Sequence, residues 1–175
     1  MYKRQDYRRL NLATVPDRYP LPNLQDFTAE LAGCTWFAKV DLVKGFHQIP
    51  VAPQDIPKTA INTPCGLWEY LRMPFGLKNA AQSFQRLMDR LFRHSPGTFG
   101  YMDDHLVFGR GEQDGLSNLQ QFFEVCEANG LRLNRDKCVF GVRELEFLGH
   151  RLSSAGVVPI PSHVEAIRRF PVPAS

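Results

Sequence analysis

Two short apolar runs, Thr98–Met102 and His105–Phe108, stand on either side of only two residues, Asp103 and Asp104. A two-residue gap between runs of strand type is tight-hairpin length, which demands antiparallel pairing and puts both carboxylates at one end of a sheet. Asp-Asp without glycine is poor chemistry for such a turn, so something other than turn propensity selects it. Adjacent carboxylates repel, and the repulsion is relieved by a raised pKa or by a bound cation; hard oxygen ligands with open water positions suit Mg²⁺. Read by itself, the pair favours an exposed acidic turn.

The rest of the chain supplies a sheet and helices to hold that hairpin. Thr35–Leu42 alternates Trp36, Ala38 and Val40 against Phe37, Lys39 and Asp41, a strand with Asp41 near its C-terminal end. Asn79–Arg93 repeats Ala80, Phe84, Leu87, Met88 and Leu91 on one helical face, with Asn79 as the expected N-cap. Leu116–Asn129 is a second amphipathic helix, stopped by Gly130 and preceded by a loop over Gly109–Gly115. Leu24–Leu31 is a short helix capped by Asn23, and Ser162–Phe170 a last one. Between the prolines of 50–64, Thr59–Thr63 is an edge strand with Leu67–Met73 as its hairpin partner. Val139–Phe140, Leu145–His150 and Val157–Val158 are further short strands. The expected class is α+β, an antiparallel sheet with two helices packed on one face. Asp41 and Asp103-Asp104, distant in sequence, both fall at strand ends, where a sheet can join them.

Composition excludes several alternatives. With 13 Phe, 5 Tyr and 2 Trp in 175 residues, the chain carries too much aromatic surface to stay disordered. No apolar run approaches the roughly 20 residues of a membrane span, and Met1–Asp6 has no apolar signal core. The net charge is only +3, but 15 of the 21 cations are Arg, the better bidentate phosphate partner, which fits a polyanion as well as it fits a solvated Arg-rich surface. Cys34, Cys65, Cys126 and Cys138 form no CxxC pair and read as reduced core thiols of an intracellular protein.

The flanks of Tyr101-Met102-Asp103-Asp104 carry more. Ahead of it stand Asp6-Tyr-Arg-Arg-Leu-Asn11, Asp17-Arg-Tyr-Pro-Leu-Pro22, Asp41-Leu-Val-Lys-Gly-Phe-His-Gln48, Met73-Pro-Phe-Gly-Leu-Lys-Asn79 and Ser83-Phe-Gln-Arg86; Phe147-Leu-Gly-His150 follows. This ordered set closely resembles the reverse transcriptases of long-terminal-repeat retrotransposons, the gypsy type in particular, almost continuously from Asp6 to about Pro173.

The resemblance implies a polymerase palm plus a partial fingers lobe. Residues 1–17 and 49–73 would be fingers, 18–48 and 74–157 palm, and 158–175 the start of a thumb. It implies two-metal-ion nucleotidyl transfer to a primer 3′-OH on an RNA or DNA template, with Mg²⁺ as cofactor and Mn²⁺ as a substitute. Asp41, Asp103 and Asp104 match the metal-binding carboxylates, with Leu42 in the same set. Leu42 and Val43 would offer backbone N–H groups to the triphosphate. Phe46 would stack under the incoming sugar and exclude a 2′-OH. Phe75 and Gly76 would line the nucleotide pocket. Tyr101 and Met102 would lie at the primer end, and Phe147, Leu148, Gly149 and His150 would form the hairpin gripping the primer. Implied partners are template-primer, deoxynucleoside triphosphates and the rest of a polyprotein with thumb and ribonuclease H. No membrane is expected, and cytoplasm, virus-like particle and nucleus fit equally.

Three positions depart from the family pattern. Tyr2 replaces an arginine expected to contact the triphosphate, Ala81 replaces a proline, and His105 replaces an Ile or Val, where an imidazole could compete for the aspartates or disturb the strand. With only the entry to a thumb, weak and non-processive polymerisation is expected. The alternative is a catalytically weak or inactive retroelement fragment that binds nucleic acid or protein.

Overall fold

A computed structural model describes residues 6–161, 165 and 169. At its centre lies β1 (Trp36–Asp41). It pairs antiparallel with β5 (Asp104–Gly109) on one side and with β6 (Val139–Val142) on the other, and β4 (Thr98–Tyr101) pairs with β5, giving the order β4-β5-β1-β6. The alternation along β1 sorts its side chains between two layers. Trp36, Ala38 and Val40 face a core shared with α3 (Ala80–Phe92) and α4 (Glu112–Ala128), which includes Phe84, Met88 and Phe122. Phe37 faces a second core with Leu31, Phe99, Leu106 and Phe147. Phe37, Phe84, Phe99, Phe122 and Phe147 are all fully buried, each contributing roughly 2–3 kcal/mol of apolar burial. The α+β class with two helices on one sheet face is what the structure has.

The element boundaries differ in instructive ways. The hairpin turn is Met102-Asp103, because Tyr101 pairs with Asp104; Asp104 is the first residue of β5. α4 starts at Glu112, four residues ahead of the expected Leu116, leaving only Arg110-Gly111 as loop. Its first turn carries Glu112 and Asp114, which favour a helix N-terminus, and Asp114 accepts the Arg110 N–H at 2.8 Å. Gly115 is helical rather than loop, and it is glycine because the Trp36 ring occupies the space a side chain would need. Asn79 does not cap α3: its amide donates to Val15 O and accepts from Asp17 N–H, holding the N-terminal segment instead. Arg86 to Asp17 (2.6 Å) and Tyr19 OH to Asp89 (2.6 Å) fasten that segment further along the same helix. Leu24–Leu31 divides into a 3₁₀ turn, Leu24–Phe27, and one α turn, α2 (Thr28–Leu31).

The segment between β1 and α3 builds a smaller lobe around a two-stranded sheet of its own. Pro53–Thr59 is a 3₁₀ helix that the prolines masked, followed by a short hairpin, β2 (Ile61–Thr63) with β3 (Gly66–Trp68). The expected partner strand Leu67–Met73 therefore ends at Trp68, apart from one bridge of Arg72 to Pro50. Leu67, Trp68 and Leu71 are exposed. Leu145–His150, expected as one strand, is broken at Leu148-Gly149 into β7 (Leu145–Phe147) and β8 (His150–Ser153), with β9 (Gly156–Pro159) completing a second sheet. The expected Ser162–Phe170 helix lies largely outside the described residues. Cys34 and Cys126 are buried and Cys138 is half-buried against the helix-side core, whereas Cys65 is exposed and is not a core thiol. Among the described residues no helix is long and apolar enough to cross a membrane.

Candidate active site

The β4–β5 turn is unusual for its residues. Met102 has φ +50° and Asp103 does not share the positive φ, the backbone signature of a II′ turn, where glycine normally takes the first position. A side chain there costs roughly 1–2 kcal/mol, so the surroundings must impose it. They do so through Gln85 of α3, which is wholly buried. Its Oε1 accepts the Met102 N–H at 2.9 Å, and its Nε2 donates to Gly100 O at 2.9 Å and to Asp89 Oδ1 at 2.8 Å. Met102 also packs against the helix-side core. One buried amide thus holds the turn from both flanks.

This geometry gathers the three aspartates. Asp41 and Asp104 face each other directly across β1–β5, and Leu42 N–H donates to Asp103 O at 3.1 Å. Asp103 feels both other charges: burial first, then Asp41 and Asp104, push its carboxyl above the usual range, with Lys137 acting against them. Its Oδ1 is buried with no hydrogen-bond partner among the described residues. A Cβ on Gly45 would run into that oxygen and into the Phe84 ring, so glycine is required there by close approach. An orphaned, buried carboxylate oxygen beside two further carboxylates is a donor set of the kind that fits a hard divalent cation. The oxygens are not yet converged, and among the described residues no three His, Cys, Asp or Glu side chains form a ready-made metal-holding group. Lysines answer two of them: Lys39 Nζ lies 3.0 Å from Asp104 Oδ1, and the more exposed Lys137 Nζ lies 3.6 Å from Asp41 Oδ2.

The remaining expected site residues divide. Phe46 and Phe75 come together, with ring centroids 5.4 Å apart, and Phe46 rests on buried Phe84 at 5.5 Å. Gly76 adjoins Phe75 at φ +90°, its carbonyl accepting from Asn11 Nδ2. Leu42 and Val43 do not have free N–H groups, because Val43 N–H donates to Arg132 O at 2.9 Å just as Leu42 N–H is taken by Asp103. Tyr101 and Met102 are half-buried beside the aspartates. Phe147 is fully buried against Phe99, so its ring anchors the β7–β8 hairpin and cannot face a nucleic acid. Leu148, Gly149 and His150 are half-buried at its turn, where His150 Nδ1 lies 3.0 Å from Leu148 O.

A family model described as reverse transcriptase (RNA-dependent DNA polymerase) matches residues 2–152. The chain belongs to the reverse transcriptase family. It is 42% identical over 170 residues to the retrovirus-related Pol polyprotein from transposon 297 of Drosophila melanogaster, covering 96% of this chain and 16% of that one. It is 35% identical to the corresponding polyprotein from transposon gypsy of the same organism, over 96% of this chain and again 16% of the relative. The chain therefore spans about a sixth of the length of these relatives. The foamy viral protease-reverse transcriptase dRH in complex with ds DNA has the same fold, with a TM-score of 0.85 at 21% identity over 96% of this chain and 30% of that one. The foamy viral protease-reverse transcriptase in complex with RNA/DNA hybrid gives 0.82 at 21% identity, over 96% and 23% of the two chains.

Two features of this reverse transcriptase domain escaped the sequence reading. Gln85 and Gly45 both lie inside quoted motifs, but nothing in residue type or spacing marks either as a support of the aspartates; only the turn geometry does. His105, expected beside the carboxylates, points the other way. β5 alternates, so Asp104 and His105 leave on opposite faces, and the register to β1 and β4 is undisturbed through both. The His105 ring is fully buried near Phe92 (5.2 Å) and Phe122 (5.5 Å). Burial pushes its pKa down to about 4, against a smaller upward pull from the Asp103 backbone. Neither ring nitrogen finds a well-formed hydrogen bond among the described residues. It neither competes for the aspartates nor disturbs the strand. Tyr2 lies outside the described residues.

Proposed function

We propose that this domain performs RNA-directed DNA synthesis, adding deoxynucleotides to a primer 3′-OH on an RNA or DNA template. The observation that carries the reading is the pairing of Asp41 with Asp104 across two central strands, with Asp103 and its orphaned oxygen in the adjoining turn. Asp41, Asp103 and Asp104, with Leu42 beside them, would hold two Mg²⁺ ions, or Mn²⁺ in their place. Bound there, such ions supply charge neutralisation at the transferring phosphorus and lower the pKa of the attacking hydroxyl. The chain's own groups do the positioning. Gln85 fixes the turn, Gly45 leaves room for Asp103, and the Phe46–Phe75 pair offers an apolar floor on which Phe46 would exclude a 2′-OH by bulk. Leu148, Gly149 and His150 would contact the primer strand, with Tyr101 and Met102 at its end. The triphosphate would be met by other groups than the Leu42 and Val43 N–H donors, which are engaged within the fold.

The proposed partners are template-primer, deoxynucleoside triphosphates and the remainder of a polyprotein. The setting is intracellular, on the strength of relatives that are retrotransposon polyproteins. His105, which weighed toward an inactive binding module, lies away from the carboxylates and no longer favours it.

Primer extension on an RNA template in Mg²⁺ or Mn²⁺, scored as addition of the first nucleotide, tests the reading. Addition of the first nucleotide is expected. Asp41→Asn and Asp103→Asn should each lower its yield by at least about a hundredfold. Products that persist in both variants would refute metal-dependent transfer at this site.

A further inference from the structure

Lys39 occupies a position where a charge has to be explained. It lies on β1 between Phe37 and Asp41, on the face covered by the second core, where its neighbour Phe37 is fully buried. Its ammonium makes two contacts from there. One is the 3.0 Å ion pair to Asp104 Oδ1, between side chains only 27% and 34% exposed. The other is the face of the buried Phe147 ring, 5.9 Å from its centroid. Lys39 therefore joins one of the three carboxylates to the turn end of the β7–β8 hairpin.

Three carboxylates at one sheet end repel each other unless a positive charge is near. We propose that Lys39 is the resident counter-ion of Asp104, a positioning residue that holds this carboxylate in register and yields its oxygen when a divalent cation enters. The inference rests on the reading that the three aspartates take divalent cations. Among the described residues, Asp103 has no such ion-pair partner and its Oδ1 is buried and unanswered, and Asp41 has the longer contact to exposed Lys137. The carboxylates are thus unequal before any cation arrives. Asp41 and Asp103 offer oxygens that cost little to redirect. Asp104 offers one only after its ammonium has been displaced, and that ammonium, a few ångströms away, opposes an incoming dication.

Opposite signs in two measurements follow. Without divalent cation, Lys39→Met should lower the melting temperature by about 2–4 °C, through loss of a half-buried ion pair and its ring contact. In millimolar Mn²⁺ that deficit should close, because the variant binds the ion at least about threefold more tightly by titration calorimetry. Lys39→Arg should restore wild-type values of both. In an Asp104→Asn background, Lys39→Met should leave the Mn²⁺ affinity unchanged and should lower the melting temperature only by the part that the Phe147 ring contact contributes.

A melting deficit that Mn²⁺ leaves intact, with unaltered Mn²⁺ affinity, would make Lys39 a packing residue and overturn the proposal. If Lys39→Met does not fold, the Lys39→Met/Asp104→Asn double variant decides: recovery of folding supports the pairing, and a chain still unfolded in the double variant refutes it. Should wild type and Asp41→Asn both ignore Mn²⁺, the metal reading itself fails and takes this inference with it. If wild type responds, Asp41→Asn does not, and Lys39→Met matches wild type, only the inference fails.

Discussion

The hairpins β4–β5 and β7–β8 solve the same local problem differently. Each reverses the chain in two residues, and each puts a non-glycine residue at positive φ: Met102 at +50° and Leu148 at +46°. At Leu148-Gly149 both central residues are positive, a I′ pattern with glycine where it is commonly found, and the turn meets the chain's own preferences halfway. At Met102-Asp103 local preference is absent. A buried glutamine from a separate helix, with hydrogen bonds on both flanks, imposes the shape. Turns that satisfy themselves can be built on the surface. One that must present a carboxylate at a fixed point is held from behind, and its strain persists because the surroundings over-determine it.

The strongest way to break this contrast is Gln85→Leu. It strands the Met102 N–H and Gly100 O with no partner, and urea unfolding should show a loss of about 3–4 kcal/mol. His150→Ala in the other hairpin should cost no more than about 1 kcal/mol. Equal losses would mean that the two turns are supported alike.

Next in size is a pH effect confined to β5. The folded pKa of His105 lies near 4 against 6.5 for the free side chain. Between these values the unfolded chain binds the extra proton, so stability is full above about pH 6.5 and falls as pH drops toward 4. The loss is about 3 kcal/mol. His105→Leu should remove that contribution from the pH dependence of unfolding.

The smallest effect sharpens the comparison. Leu148→Asn should change stability by less than about 1 kcal/mol, because the backbone relief that Asn brings is offset by lost packing of Leu148 on the second core. Met102→Asn should lose stability, because Met102 also packs on the helix-side core.

What was legible in the sequence follows the same division. β1 and α3 were readable because alternation and helical period record burial directly. The position of Asp41 opposite the hairpin followed from both elements ending at one rim. The turn itself was misplaced by one residue, since Asp-Asp looks more like a turn than Met-Asp and the force selecting Met102 lies in α3. Helix α4 begins earlier than its sequence suggests, because Gly115 reads as a breaker whereas Trp36, distant in sequence, is what demands a glycine there. Cys65 looked like core by residue type but rides on the small lobe. Such errors share a cause: the deciding partner lies far along the chain, and a single sequence does not name it. Gln85 and Gly45 carry no mark in the sequence for that reason, and the N–H groups of Leu42 and Val43 are engaged by Asp103 and Arg132, both distant along the chain.

The chain has two tryptophans, and the fold sends them to opposite environments. Trp36 is 7% exposed beneath Gly115, while Trp68, at the end of β3 in the smaller lobe, is 58% exposed. The molecule thus carries its own pair of optical labels. A Trp68→Phe variant leaves a blue-shifted, poorly quenched emitter for the central sheet, and Trp36→Phe leaves a red-shifted, iodide-accessible one for the lobe. Fluorescence alone can then follow the two lobes separately as ions, nucleotide or duplex are added.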